Sequence, residues 1–243
     1  MKWPFGRSRP VERVDASASG VYAAAALVLG YPTRDLLDRL PAVADLAARA
    51  GVGEEFEPVL AYLGSQSLTD LQEAYAQEFD NSRRHALHLT YWVDGDTRRR
   101  GESLLRYKQA YRDSGLLVDL NGELPDYLPM ALEFAVHDPA RGRELLTASR
   151  PALELLRLAL RDDELPHEGV LTAVCATLPG ESPDDRLSVS RMNGWQPPTE
   201  SVGLLDAPLA PYSMATNSPN APSLQGARLP LLDARTLDEA ELR

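Results

Sequence analysis

His85 and His88, the carboxylates of Glu123, Asp126 and Glu133, the run Arg98-Arg99-Arg100 and the single thiol of Cys175 are the side chains best placed to do chemistry. The i, i+3 spacing of the histidines can set two imidazoles on one helical face. No acidic or cysteine residue follows at a recognised zinc-ligand spacing, so the pair reads as structural. Acid–base catalysis needs opposed carboxylates in a cleft, but Asp126 has a simpler use as a helix N-cap accepting a bond from a free first-turn amide. Three arginines in the first turn of a helix oppose its macrodipole unless an anion compensates; a solvated face beside Asp94 and Asp96 is the simpler reading. Cys175, inside VLTAVCATL, reads as a buried, inert thiol. No glycine-rich phosphate loop, dinucleotide fingerprint or nucleophile elbow is present. The chain is therefore expected to bind rather than to catalyse.

The elements that would position these residues are helical. Helical periodicity runs from about residue 16 to 178 without sustained strand alternation, so the fold class is all-α, a compact multi-helix bundle. Three parts are expected: a flexible N-terminal segment, 1–14; an all-helical body, 15–178; and a disordered or loosely packed proline-rich tail, 179–243. The first helix should start at a cap on Asp15 or Ser17 and stop at Gly30-Tyr31-Pro32. Thr33 should cap a second, which Pro41 kinks or splits. A short helix follows near Glu54 to Leu63. Ser67 with Asp70 then forms a capping box, opening a helix with the stripe Leu68, Leu71, Tyr75 and Phe79. After a loop holding His85 and His88, Asp96 should cap a helix through Ser114, with Leu104, Leu105, Lys108 and Tyr111 on its inner face. The stretch NGELPDYLPMALEFAV, residues 121–136, predicts a helix capped by Asp126 with Pro129 in its first turn. It is apolar nearly all round and so should be buried among other helices. A segment from Pro139 to Arg161 interrupted by Pro151, a last body helix near His167 to Leu178, and a short helix in LDARTLDEAEL complete the reading.

The net charge of -11 disfavours nucleic acid and anionic membrane surfaces as partners, because the whole-molecule field repels phosphate. No apolar stretch approaches the length needed to span a bilayer. One cysteine allows no internal disulfide, which suits the reducing cytoplasm. The basic MKWPFGRSRPVERV followed by VYAAAALVLG imitates a signal peptide, but Glu12 and Asp15 interrupt the basic part and no good small-residue cleavage pattern follows. A cytoplasmic location is expected.

The stretches LGYP at 29–32, LHLTYW at 87–92, GDTRRRG at 95–101 and ELPDYLP at 123–129, in this order and approximate spacing, resemble the nitrate reductase molybdenum cofactor assembly chaperones of the NarJ family. The resemblance covers about residues 20 to 178. Through that family the chain is similar to the wider TorD-like group of all-helical chaperones, which carry an acidic-proline-Asp-His motif at a position similar to ELPD here. Tyr127 stands where the wider group has histidine, and Trp92 and Asp94 stand where many relatives do.

The resemblance implies a TorD-like bundle that binds the cofactor-free catalytic α subunit of a respiratory nitrate reductase, through the subunit's N-terminal segment and apo form. It would keep that subunit open for insertion of the molybdenum cofactor and then leave. No cofactor of its own is implied, only transient proximity to the molybdenum cofactor. The residues expected to meet the client are Glu123, Pro125, Asp126, Tyr127, His88, Tyr91, Asp96 and Arg98. The rival readings are a nucleic-acid-binding regulator, a carboxylate enzyme centred on Glu123, and a helical peptide-binding module for another redox-enzyme precursor.

Overall fold

The computed structural model describes residues 11–120 and 122–192, with side chains from Ser17 onward. Most of the expected N-terminal segment, the bulk of the proline-rich tail and the expected helix in LDARTLDEAEL lie outside the described residues. Helix α1 (Val11–Val28) begins ahead of the expected cap and buries a stripe of small residues, Ala18, Val21, Ala24, Ala25 and Val28. Helix α2 (Arg34–Ala50) starts where Thr33 Oγ1 accepts a bond from the Leu36 amide at 3.2 Å and stops at Gly51, whose φ of 82° suits a residue without Cβ. Pro41 does not split it. The ring lies on the exposed face, where water can serve the carbonyl left without a donor, and the helix runs on unbroken.

Helix α3 (Gly53–Ser65) is followed by α4 (Leu68–Tyr75), which opens on the expected capping residues: Ser67 Oγ accepts from the Asp70 amide at 3.2 Å and donates to its carboxylate at 2.7 Å. The chain then widens into a π-helical turn (Ala76–Asp80), closed by the Asn81 amide on the Ala76 carbonyl at 2.9 Å. A short helix not expected from the sequence, α5 (Leu89–Asp94), precedes α6 (Arg99–Asp113). Asp96 does not cap α6. Its carboxylate instead lies 3.4 Å from the exposed Arg83 and 3.8 Å from the partly buried Arg100, and pairs with these two cations rather than with the free amides. The buried face of α6 is Ser103, Tyr107 and Tyr111, while Leu105 and Lys108 face outward.

The apolar stretch forms α7 (Leu128–His137), buried through Leu128, Ala131, Leu132, Phe134 and Ala135 as its composition requires. The segment after it divides at Ser149 into α8 (Pro139–Ala148) and α9 (Arg150–Asp162), each with proline in its first turn, where no amide partner is missed. Helices α10 (Glu168–Ala176) and α11 (Arg186–Ser190) follow. Among the described residues the fold is all-α, as expected. Helix α1 packs against α2, α7 and α10; α9 packs against α5, α10 and α11.

The packed body continues past Leu178, where the change in composition suggested a tail. Helix α9 carries a charged stripe, Arg150, Glu154, Arg157 and Arg161, which would ordinarily face water. Residues 179–192 cover it. Arg150 donates to the Leu178 carbonyl at 3.1 Å and also to that of Pro179, Arg157 to that of Pro183 at 2.5 Å, and Arg161 to that of Asp184 at 2.7 Å. The Glu154 carboxylate, fully buried, accepts from Arg157 at 2.7 Å, Arg150 at 3.3 Å and Ser182 at 2.7 Å. A buried charge is tolerable only when paired and hydrogen-bonded in this way. Val189 and Met192 then pack on Leu155, Leu158 and Trp92.

Helices α7 and α8 approach so closely that a Cβ on Gly142 would stand 2.2 Å from the Ala135 Cα. Gly142→Ala should therefore lower unfolding stability by about 1–3 kcal/mol through overpacking, despite its better helix propensity. Gly101→Ala, at an α6 position with open space around it, should raise stability by up to about 1 kcal/mol. Urea unfolding of both variants checks the contrast; equal effects would contradict the close packing of α7 on α8.

Candidate functional site

Two segments far apart in sequence meet at the start of α5 and α7. The Leu89 amide bonds the Asp126 carbonyl at 3.1 Å, the Leu128 amide bonds the Leu87 carbonyl at 2.9 Å, and His88 and Tyr127 form an isolated antiparallel bridge. Between them the Asp126 side chain is completely buried. It does not cap its own helix. Its Oδ2 accepts from the Thr90 amide at 2.9 Å and the Thr90 hydroxyl at 2.6 Å, so it caps α5 from across the junction. The Thr90 hydroxyl in turn accepts from Arg100 Nε at 3.3 Å. His88 Nδ1 stands 3.4 Å from Oδ1, without hydrogen-bond alignment, a chiefly electrostatic contact. Burial works against the Asp126 charge, but His88 and the two Thr90 bonds outweigh it and hold the carboxyl below its ordinary pKa.

Tyr127 extends the junction toward α1. Its hydroxyl lies 2.7 Å from that of Tyr75, which donates to the Leu29 carbonyl at 3.1 Å. Tyr111 donates to the Pro125 carbonyl at 2.7 Å from the other side. Burial, offset in part by the bond to Tyr75, pushes the Tyr127 phenol up to about 12, so it stays neutral and able to donate.

The structure thus gathers His88, Glu123, Pro125, Asp126 and Tyr127. Pro125 and Asp126 are buried and set positions, whereas Glu123 is exposed, 3.8 Å from His88 Nε2, and His88 and Tyr127 are half-buried. Tyr91 joins through Arg100, whose guanidinium lies 5.9 Å from its ring centre, and Asp96 joins through its pairs with Arg83 and Arg100. Arg98 is exposed at the beginning of α6, and the structure does not bring it into this group. Glu133 also stands apart: it lines a trough of about 470 Å³ on the outer side of α7, with Met130, Phe134, His137, Leu116 and Leu117. That separation removes the idea of opposed carboxylates at Glu123, Asp126 and Glu133. Cys175 is fully buried, as expected, and burial raises its thiol pKa. Among the described residues no cluster of His, Cys, Asp and Glu is placed to hold a metal ion, and no helix is long and apolar enough to cross a membrane.

Sequence reasoning missed a groove reached through Tyr75. A pocket of about 140 Å³ opens between the end of α1, α3, α4, the π-helical turn and the residues before α10; Tyr62, Leu71, Tyr75, Glu78, Phe79 and His167 line it. The stripe Leu71, Tyr75 and Phe79 signals a core face, and these side chains serve as both core and groove wall. The π turn that carries Glu78 and Phe79, a feature common at functional sites, has no residue signature. Behind Glu78, buried His85 sets Nδ1 3.1 Å from Glu78 Oε2 and Nε2 2.9 Å from Asp163 Oδ2, the second approach lacking hydrogen-bond alignment. Burial first, and electrostatic repulsion from His85 second, push the His167 pKa down to about 4, so its ring is neutral near pH 7.

Asp126→Asn should cost about 1.5–3 kcal/mol at pH 7, since hydrogen bonds to a charged group are lost or weakened. The folded pKa is depressed, so the stabilisation is fully present above the unfolded value near 3.9 and disappears as pH falls through the folded value. Urea unfolding should show a constant gap between wild type and variant from about pH 5 to 7, closing below about pH 4. A gap independent of pH would contradict a charged Asp126.

Comparison with known proteins bears on what this arrangement serves. The family described as nitrate reductase delta subunit matches residues 45–172, more than half of the chain. The nitrate reductase-like protein NarX of Mycobacterium tuberculosis is 43% identical over 104 residues, 42% of this chain but 16% of NarX. A Bacillus subtilis protein provisionally named as the nitrate reductase molybdenum cofactor assembly chaperone NarJ is 35% identical over 117 residues, 47% of this chain and 63% of that one. The chain thus spans only part of the length of these curated relatives. A crystal structure from Archaeoglobus fulgidus, described as a candidate redox enzyme maturation protein, superposes with a TM-score of 0.51 at 20% identity, over 72% of this chain and 96% of the other. That likeness establishes the fold, and the sequence match establishes the family: the chain belongs to the nitrate reductase delta subunit family, as its resemblance to the NarJ chaperones indicated.

Proposed function

We propose that this protein is a cytoplasmic assembly chaperone that binds the cofactor-free catalytic α subunit of a respiratory nitrate reductase, holds it open for insertion of the molybdenum cofactor, and is absent from the finished enzyme. The observation that carries this reading is the pocket beside Tyr75, bounded by aromatic walls and tied through Tyr127 to a rigidly fixed acidic loop. Family membership and the chaperone name of a relative support it. An apolar cleft with a few placed polar groups suits a side chain or segment of a partner rather than a reaction. Glu123, His88, Tyr127 and Tyr91 supply the accessible contacts and Asp96 the flank, while Pro125 and Asp126 hold the loop in place.

Such a protein works by differential affinity. It binds the immature conformer better than the mature one, so closure of the client around its cofactor drives release. A dissociation constant near micromolar, about -8 kcal/mol, permits both capture and release. The molybdenum cofactor belongs to the client on this reading, and the chain holds no cofactor itself.

Calorimetric titration with a peptide from the N-terminus of the paired α subunit, against a scrambled peptide of equal charge, tests the proposal. Saturable binding near micromolar of the native peptide alone is expected. Equal binding of both peptides would reduce the interaction to bulk electrostatics, and no binding of either would overturn recognition of that segment.

A further inference from the structure

The segment 179–192 is fastened to the body along a single helix. Its polar bonds run to side chains of α9: Arg150 donates to the Pro179 carbonyl, Arg157 to that of Pro183 and Arg161 to that of Asp184, Ser182 Oγ donates to Glu154 at 2.7 Å, and Arg186 pairs with Asp162 at 3.2 Å. A charged stripe uncovered in water is hydrated, so lifting the segment exchanges these bonds for bonds to water at modest net cost. Its apolar grip is confined to Val189 and Met192 on Leu155, Leu158 and Trp92, while Leu187 of the same short helix is 65% exposed. At its root Gly180 has a φ of 100°, and a Cβ there would stand 3.2 Å from the Arg150 guanidinium. A residue of this kind can absorb the rotation of a hinge.

Trp92 connects this segment to the candidate site. Its ring packs both on the Leu155, Leu158 and Val189 cluster and on the main core, and its Nε1 donates to the Ala86 carbonyl at 2.8 Å, which ties α5 to the loop before it. Helix α5 has six residues and no side-chain cap from its own preceding residue, too little to persist without tertiary support. That support comes from Asp126, through the two bonds to Thr90, and from the packing of Trp92. We propose that residues 179–192 form a releasable strap that controls the order of the candidate site. Seated, the strap clamps Trp92 and keeps α5 where Thr90 meets Asp126; lifted, it leaves Trp92 packed on one side only and loosens the Thr90–Asp126 junction. Trp92 is the positioning residue through which the two communicate. The inference rests on the chaperone reading for the use of that junction, client capture, but the coupling of strap to junction does not depend on it.

Two variants lift the strap by different routes. Ser182→Glu sets a second carboxylate against Glu154, and Val189→Ala removes an apolar anchor; neither position lies on α5 or α7. Hydrogen exchange of the full chain is followed amide by amide by NMR. In wild type the Val189 and Met192 amides, bonded within the strap at 3.3 and 2.9 Å, should exchange at least about tenfold faster than those of Leu156 and Leu171 inside the body. Both variants should speed exchange of the Thr90 amide, which bonds Asp126, by about tenfold and leave α1 and α10 unchanged. Faster exchange in the strap alone would overturn the coupling. A uniform rise throughout the body in both variants, or a wild-type strap that exchanges no faster than α9, would overturn a releasable strap. Calorimetry with the α-subunit peptide then tests the consequence for binding: a strap seated about a tenth of the time should weaken affinity about tenfold. Unchanged affinity in variants whose Thr90 exchange has risen would overturn control of the site. A peptide that fails to bind wild type, alongside the expected exchange pattern, would overturn the client reading and leave the strap standing.

Discussion

A carboxylate with no access to water is costly unless its oxygens find donors, and the middle of this fold is built around one. Asp126 obtains its donors from Thr90, on a segment 36 residues away in sequence, so the loop before α7 cannot move independently of the start of α5. The backbone bonds between Leu87 and Leu128 and between Leu89 and Asp126 close the same junction. Because Tyr127 follows Asp126 directly, fixing the carboxylate also fixes the phenol that reaches Tyr75 and, through it, the end of α1. One buried charge thereby sets the relative positions of three segments and the wall of the groove between them. The cap that a helix would normally find in its own preceding residue is supplied here by another part of the chain, which exchanges local independence for tertiary order.

A second buried charge organises the other side of the molecule. Glu154 and its arginines lie on α9, and their hydrogen bonds run to carbonyls of residues 178–184, which belong to no regular element of their own before α11. Backbone carbonyls that would otherwise need water are satisfied by guanidinium groups, and the charged stripe is satisfied by the segment that covers it. Both buried charges therefore connect a helix to a loop.

Much of this was legible in the sequence where the cause is local. Thr33 and Ser67 sit where their side chains meet amides three residues on, the 128–136 stretch, apolar but for Glu133, had to be buried, and Cys175 had to be inert. Asp126 shows where legibility ends: a carboxylate before a helix caps equally well any free amide within reach, and sequence alone offers only its own helix as the target. Asp96 failed for the same reason, with Arg83 and Arg100 as stronger claimants. Pro41 suggests a kink or a split because its exposed position, which removes much of the cost, is a tertiary fact. The groove escaped because Tyr75 and Phe79 look the same as core residues or as groove wall, and because a π turn has no residue pattern. The two family-like stretches LHLTYW and ELPDYLP, separated in the chain, turn out to be the two halves of the Asp126–Thr90 junction, a physical reason for both to occur together.

The central claim is that the chain distinguishes an immature client from a mature one. The most direct measurement is its affinity for the paired nitrate reductase α subunit in two forms, cofactor-free and loaded with the molybdenum cofactor, determined side by side under the same conditions. The account predicts binding of the cofactor-free subunit at least about tenfold tighter, a difference of about 1.4 kcal/mol, with release on loading. Equal affinity for the two forms, or preference for the loaded one, would contradict it, because a ligand without differential affinity shifts no equilibrium.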